Sequence, residues 1–238
     1  MVMMYVPAGK FSMGSPNGTG NSNEQPQHTV FLDAFWVDRT DVTNAMYAVC
    51  VKAGGCKLPY STASPTRSVY YGNAQYANYP VINVDWNMAG AYCGWVGKAS
   101  GVIVSLPSEA QWEKAARGTD GRTYPWGDGS PDKSLLNYNN QVGDTSMVGS
   151  YPSGASPYGA LDMAGNVWQW VSDWFDEAYY VNSPASNPPG PSSGSARVLR
   201  GGAWASSEDL VRSASRLTHD PVLGNSLFGF RCVRTDSP

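Results

Sequence analysis

From Thr119 to Asp162 the chain reads TDGRTYPWGDGSPDKSLLNYNNQVGDTSMVGSYPSGASPYGALD, and this stretch constrains the fold most. Its Gly, Pro, Asn, Asp and Ser break both helical and strand periodicity, so it is loop. Yet Tyr124, Trp126, Tyr138, Tyr151 and Tyr158 each bring a large apolar area that needs a surface to pack on. A linker does not carry such residues. The chain must therefore fold as an irregular, aromatic-packed structure, which 26 Gly, 17 Pro, 9 Trp and 14 Tyr among 238 residues support. That length is enough for one substantial core, and the expected organisation is a single domain over 1–238.

Regular elements frame this loop. MMYVPAGKFSMGS, around a Pro-Ala-Gly turn, and HTVFLDAFWVDRTDVT read as strands of an antiparallel sheet. Thr40 precedes a helical pattern with Val42, Met46, Val49 and Ala53 on one face, closed by Gly54 and Gly55. A second helix begins near Asp85, with Trp86, Ala89, Cys93 and Val96 together. The third is announced by LPSEAQWEKAARG: Ser108 and Gln111 form a capping box, Glu113 pairs with Arg117, and Gly118 ends it. GNVWQWVSDWFDEAYY reads as a core strand, and its carboxylates Asp173, Asp176 and Glu177 as a solvated cluster.

Charge and motifs narrow the function. A net charge of −3 with no basic run offers no footprint for nucleic acid or an anionic membrane, so neither is expected as a partner. No apolar run reaches 18 residues and the start has no signal-peptide pattern; the compartment stays open. There is no GxSxG, HExxH, P-loop or GxGxxG context. Four cysteines without a CxxC pair do not suggest zinc. Cys50 and Cys56 flank VKAGG, where the glycines allow either a short-loop disulfide or two free thiols.

Eight blocks taken in order resemble the formylglycine-generating enzyme, or sulfatase-modifying factor, family. They are MMYVPAGKFSMGS, EQPQHTVFLDAFWVDRTDVTNAMY, YPVINVDWNMAGAYCGW, LPSEAQWEKAARG, YPWGD, SPYGALDMAGNVWQWVSDWF, RVLRGGAW and GFRCVR. The resemblance implies an α+β, C-type-lectin-like fold with little regular structure. Its catalytic members use two copper-binding cysteines to oxidise a sulfatase cysteine, at positions that here hold Ser206 and Val211. Neither side chain replaces a thiolate, so the expectation is a domain that is not an enzyme and binds no copper. Related iron enzymes use three histidines. This chain has only His28, in a framework position, and His219, so no iron is expected. The resemblance also implies structural calcium at Asp162, Gly165, Val167 and Gln169, with Gln169 in place of the usual Glu. A second implied calcium position uses Asn137, Tyr138 and Asp144, and the implied disulfide joins Cys93 to Cys232.

Within residues 197–235, RVLRGGAW and GFRCVR then act as framework, and the stretch between them as a ligand-binding segment. Its pattern resembles the variable proteins of diversity-generating retroelements, where adenine-directed mutagenesis of AAC-type codons randomises chosen positions. Here these fall at Ala205, Ser206, Ser207, Asp209, Leu210, Ser215, Leu217, Thr218, His219, Asp220, Val222, Leu223, Asn225, Ser226 and Leu227, each reachable from AAC by adenine changes. The expected function is display of these residues as an exposed patch that binds a macromolecule, a protein. A second reading is an accessory or sensor domain of a bacterial protein kinase, and a third an oxidase of the formylglycine-generating type.

Overall fold

The computed structural model describes residues 2–235. Ten short strands and four helices are held in a larger body of ordered loop. Strands β1 (Met3–Val6) and β2 (Gly9–Met13) flank the Pro-Ala-Gly turn without pairing to each other. Instead β2 pairs with β3 (His28–Leu32), and β1 with β4 (Phe35–Asp38). The sheet β1-β4-β10-β5 is completed by β5 (Ile103–Ser105) and β10 (Val233–Thr235), antiparallel throughout. A third sheet, β8-β7-β6-β9, joins β6 (Trp168–Trp174), β7 (Arg197–Arg200), β8 (Arg216–His219) and β9 (Phe228–Phe230). Its β6 and β9 are parallel.

Helix α1 (Asn44–Lys52) starts one cap later than the apolar spacing suggests, because the Thr43 hydroxyl accepts the Met46 N–H. Its packed side carries Tyr47 and Cys50; of the expected face Val42 is buried and Met46 packs against the core, but Val49 is 58 % exposed. Helix α2 (Trp86–Ser100) is capped by Asp85, which accepts from Met88 N at 2.7 Å, and closes on Gly101 at φ 73°. The full capping box forms at the start of α3 (Glu109–Arg117), and the Glu113–Arg117 pair closes at 2.9 Å. Helix α4 (Tyr179–Asn182) is a single turn.

Two cores fill the domain. One lies under α1 and α2 around Tyr47, Tyr92, Trp170 and Phe230; the other lies under α3 around Trp112, Phe35, Val37 and Val171. The long loop supplies a satellite cluster of Tyr124, Leu136 and Ala164. Disulfides join Cys50 to Cys56 and Cys93 to Cys232, the latter fixing α2 to the approach of β10. Among the described residues no helix is long and apolar enough to cross a membrane.

Candidate functional site

Three arginines, two buried and Arg212 half-buried, fix the segment after β7. Arg200 donates to the carbonyls of Ser213, Ala214 and Ser215 and to the Glu113 carboxylate. Arg212 grips Glu24 through two bonds of 2.7 and 2.8 Å, and Arg216 grips Glu109 through 2.7 and 2.9 Å. Bidentate pairs of this kind set geometry as well as charge. Burial alone would raise the Glu109 carboxyl, but Arg216 and Arg200 outweigh it and hold the group below the usual range. Asp173 beside it is not solvated as expected. It is buried, accepts from Glu109 N at 2.7 Å, and is pushed up to about 7 by desolvation and by Glu109.

Of the fifteen ligand-segment residues, Ser206 and Ser215 do not reach the surface. The Ser206 hydroxyl accepts the Ala203 N–H at 2.9 Å inside a tight turn. Ser215 is wholly buried where Arg200 takes its carbonyl. Ser206 is drawn inward because a buried backbone N–H needs a local partner, whereas the buried Ser215 hydroxyl makes no hydrogen bond. Ser207, Asp209, Asp220, Val222 and Leu223 are exposed, the last two at 55 % and 53 %. Ala205, Thr218, His219, Asn225 and Ser226 are half-buried. Leu210, Leu217 and Leu227 lean against the larger core while keeping part of their surface in solvent. The ring of His219 stands edge-on to Phe228, with centroids 4.8 Å apart, and faces Trp170.

Trp204 connects the two halves of this face. It is half-buried; its indole N–H reaches the Ser226 carbonyl at 3.5 Å, and its own carbonyl accepts from Asn140 N. Asn139 N likewise donates to the Ser206 carbonyl. Asn139 and Asn140 are both left-handed, with φ 50° and 57°, a conformation asparagine tolerates best after glycine. The Asn-Asn pair was the available signal for this flank. Tyr124 and Trp126 stack in parallel at 5.0 Å nearby, and the Tyr124 hydroxyl, which donates to Glu208 at 3.4 Å, is pushed up to about 12 by burial. On the other flank, Tyr60 lies 3.4 Å from the Val222 carbonyl and donates to Asp85 at 2.7 Å. Nothing in the local pattern of Tyr60 marks it as a neighbour of residue 222.

The implied cofactors do not match the donors present. At the two positions for copper-binding thiolates, Ser206 is engaged as above, and Val211 is wholly buried in the satellite cluster with Tyr124 and Leu136. All four cysteines are disulfide-bonded. At the first calcium position, Gln169 Oε1 already accepts from Trp112 Nε1 at 2.7 Å and Arg231 Nε at 2.6 Å. Its Nε2 donates to the Asp162 carbonyl, and Asp162 Oδ2 accepts from Gly149 N. The Gln169 amide oxygen is thus already taken twice, and Gly165 and Val167 can offer only backbone carbonyls. At the second position, Asp144 Oδ2 is taken by Ser64 and Thr66, and Oδ1 by Thr145 N and Arg67. The Tyr138 carbonyl accepts from Gln141 N. Asn137 Oδ1, buried and without a partner, is one oxygen left over where a calcium ion needs six or more. Arg67, against the rings of Tyr70, Tyr76 and Tyr79, supplies the positive charge instead.

Comparison with known proteins follows the whole fold. The family model of the sulfatase-modifying factor enzyme 1-like domain matches residues 1–236. The chain is 37 % identical to the serine/threonine-protein kinase pkn1 of Chlamydia caviae over 98 % of its own residues, spanning only 38 % of that protein. It is 36 % identical to the formylglycine-generating enzyme of Streptomyces coelicolor, over 96 % of this chain and 87 % of that one. Among solved structures, PvdO from Pseudomonas aeruginosa superposes with a TM-score of 0.83 at 29 % identity, covering 98 % of this chain and 93 % of the other. Treponema denticola variable protein 1 superposes at 0.79 and 26 %, covering 98 % and 94 %. The fold is thus the α+β, C-type-lectin-like one. The expectation that the chain is not an enzyme is overturned: a relative of 36 % identity along nearly the whole domain carries an enzyme's name.

Proposed function

For a chain that belongs to the sulfatase-modifying factor enzyme 1-like family, we propose recognition of a polypeptide by the exposed face of residues 205–227. The observation that carries this reading is the pairing of rigidity with exposure. Arg200, Arg212 and Arg216 pin the segment from inside, while Ser207, Asp209, Asp220, Val222 and Leu223 stand in solvent. A fixed backbone loses little freedom on contact, so more of the interaction energy appears as affinity. Exposed aliphatic anchors among polar neighbours suit a protein ligand. The likeness to a variable protein supports display of these positions. The same face suits a polypeptide that is a substrate and one that is only held.

A second reading draws on the kinase relative, of which this chain spans 38 %. On this reading the domain is one module of a longer protein, and its face senses a ligand for the rest of that protein.

Panning a phage-displayed random peptide library on the protein tests the first reading. Selected peptides are expected to lose about tenfold or more in affinity for a Val222→Asp/Leu223→Asp variant, a cost of about 1.4 kcal/mol. A Val181→Asp variant, exposed in α4, serves as the control. Peptides that bind all three proteins equally sink the proposal.

A further inference from the structure

The charge of this chain is not evenly spread. Residues 42–108 hold four cations, Lys52, Lys57, Arg67 and Lys98, against the single carboxylate of Asp85, in a chain whose net charge is −3. Arg67 is spent on Asp144. Asp85 is saturated as well, by Met88 N on one oxygen and the Tyr60 hydroxyl on the other. Lys57 and Lys98 are exposed, and among the described residues neither has a carboxylate within ion-pair distance.

These two lysines mark one groove. A cleft of about 670 Å³ runs between the Gly54–Tyr60 loop and the start of α2, with Lys57, Met88 and Val222 in its walls. A second hollow of about 260 Å³ continues it past Trp95 to Lys98, and the two share Gly55 and Ala91. The outer wall is fixed. Cys56 is bonded to Cys50, and Gly55 lies so close to Trp95 that an added Cβ would stand 2.3 Å from the indole. The floor is the solvent side of α2, from Asn87 to Lys98, about 16 Å of helix. Gly94 interrupts it, against the helix propensity of the run. A Cβ there would meet nothing within 4 Å, so the packing of the domain itself does not ask for glycine.

From this groove we infer a docking site for an extended, acidic segment of polypeptide, entering beside Val222 and running along α2 to Lys98. It rests on the polypeptide-recognition reading and adds the chemistry of the ligand. About 16 Å accommodates roughly five extended residues. Unpaired ammonium groups at both ends favour carboxylates at the ends of that stretch, and the aliphatic and aromatic walls at Met88, Trp95 and Val222 favour apolar residues between them. Backbone can approach the helix closely where Gly94 removes the side chain.

The probe is a fluorescein-labelled decapeptide alternating Glu or Asp with Leu or Tyr, and its counterpart with Lys in place of every acid. Fluorescence anisotropy on the whole chain is expected to show the acidic probe bound, weakened about tenfold or more by Lys57→Glu/Lys98→Glu, and weakened by added salt. Lys133→Glu, exposed in the long loop, is expected to leave it unchanged. Gly94→Leu is expected to block the probe while leaving the melting temperature unchanged or higher, since it fills open space and improves helix propensity. The inference is overturned if the acidic probe does not bind, if the basic probe or a twelve-nucleotide single strand binds as well, or if Lys57→Glu/Lys98→Glu and Gly94→Leu leave affinity intact. Loss of binding in Val222→Asp/Leu223→Asp alone would retain the recognition face and reject the groove.

Discussion

Arg216 and Glu109 meet as two parallel hydrogen bonds, Nε to Oε1 at 2.7 Å and NH2 to Oε2 at 2.9 Å, with both side chains closed off from water. Removing Arg216 leaves the Glu109 carboxylate buried with Arg200, 3.5 Å away, as its remaining cation, at a cost of up to about 3–5 kcal/mol. Arg216→Met is expected to lower the unfolding free energy by about that amount in urea titrations. Arg216→Met/Glu109→Met is expected to recover part of it, because no lone charge remains.

Frame and face should respond differently to truncation. Phe230, wholly buried between Tyr47 and Tyr92, is expected to lose about 3–5 kcal/mol on replacement by Ala. Ser207→Ala and Thr218→Ala should stay within about 0.5 kcal/mol. Gly224→Ala is expected to fall nearer the first group, since its Cβ would stand 2.7 Å from the Val84 carbonyl carbon. Thermal melts that rank these variants in the opposite order would reject the division.

Asp38 gives the stability a pH dependence. Burial pushes its carboxyl up to about 7 despite the Cys232 N–H on Oδ2 and the nearby Arg231, and Oδ1 has no partner. A carboxyl that holds its proton more tightly when folded contributes stability that is fully present below about pH 4. That contribution is lost as pH rises through 7. Asp38→Asn keeps an acceptor for Cys232 N and is expected to flatten the fall in melting temperature between pH 4 and 7. An unchanged slope would assign the dependence to Asp173 or Asp162, which are raised to about 7 and about 6.

Arg67 should make calcium dispensable. The melting temperature is expected to be the same in EDTA and in calcium, whereas Arg67→Met should lower it in both, because Asp144 then loses its cation. A wild-type melt that drops by several degrees in EDTA alone would show that an ion is held after all.

What could be read from the sequence was what neighbours in the chain decide. The cap of α3 depends on Ser108 and Gln111, three residues apart, and appeared as written. The framing of residues 205–227 by β7 and β9 followed from the family resemblance. The packed face of α1 followed only in part, because Tyr47 is claimed by Tyr92 and Phe230, far along the chain, and Cys50 by its disulfide. Ser206 and Ser215 look like surface serines in any local window; only a turn closing on Ala203 and the reach of Arg200 draw them in. Lys57 and Lys98 belong to one groove only because α2 lies beside the disulfide loop.

Leu210, Leu217 and Leu227 each pack against the larger core while keeping surface in the face we propose for recognition. Such residues answer to two selections at once, so diversification of this surface would proceed in two tiers. Rim positions such as Ser207, Asp209, Asp220 and Leu223 are free to vary with little effect on folding. A change at one of the three leucines alters the folded fraction along with specificity, and with a total stability of about 5–15 kcal/mol a single chain tolerates few of them. New binding preferences in this lineage would therefore appear first at the rim, and the leucine shelf would change slowly beneath it.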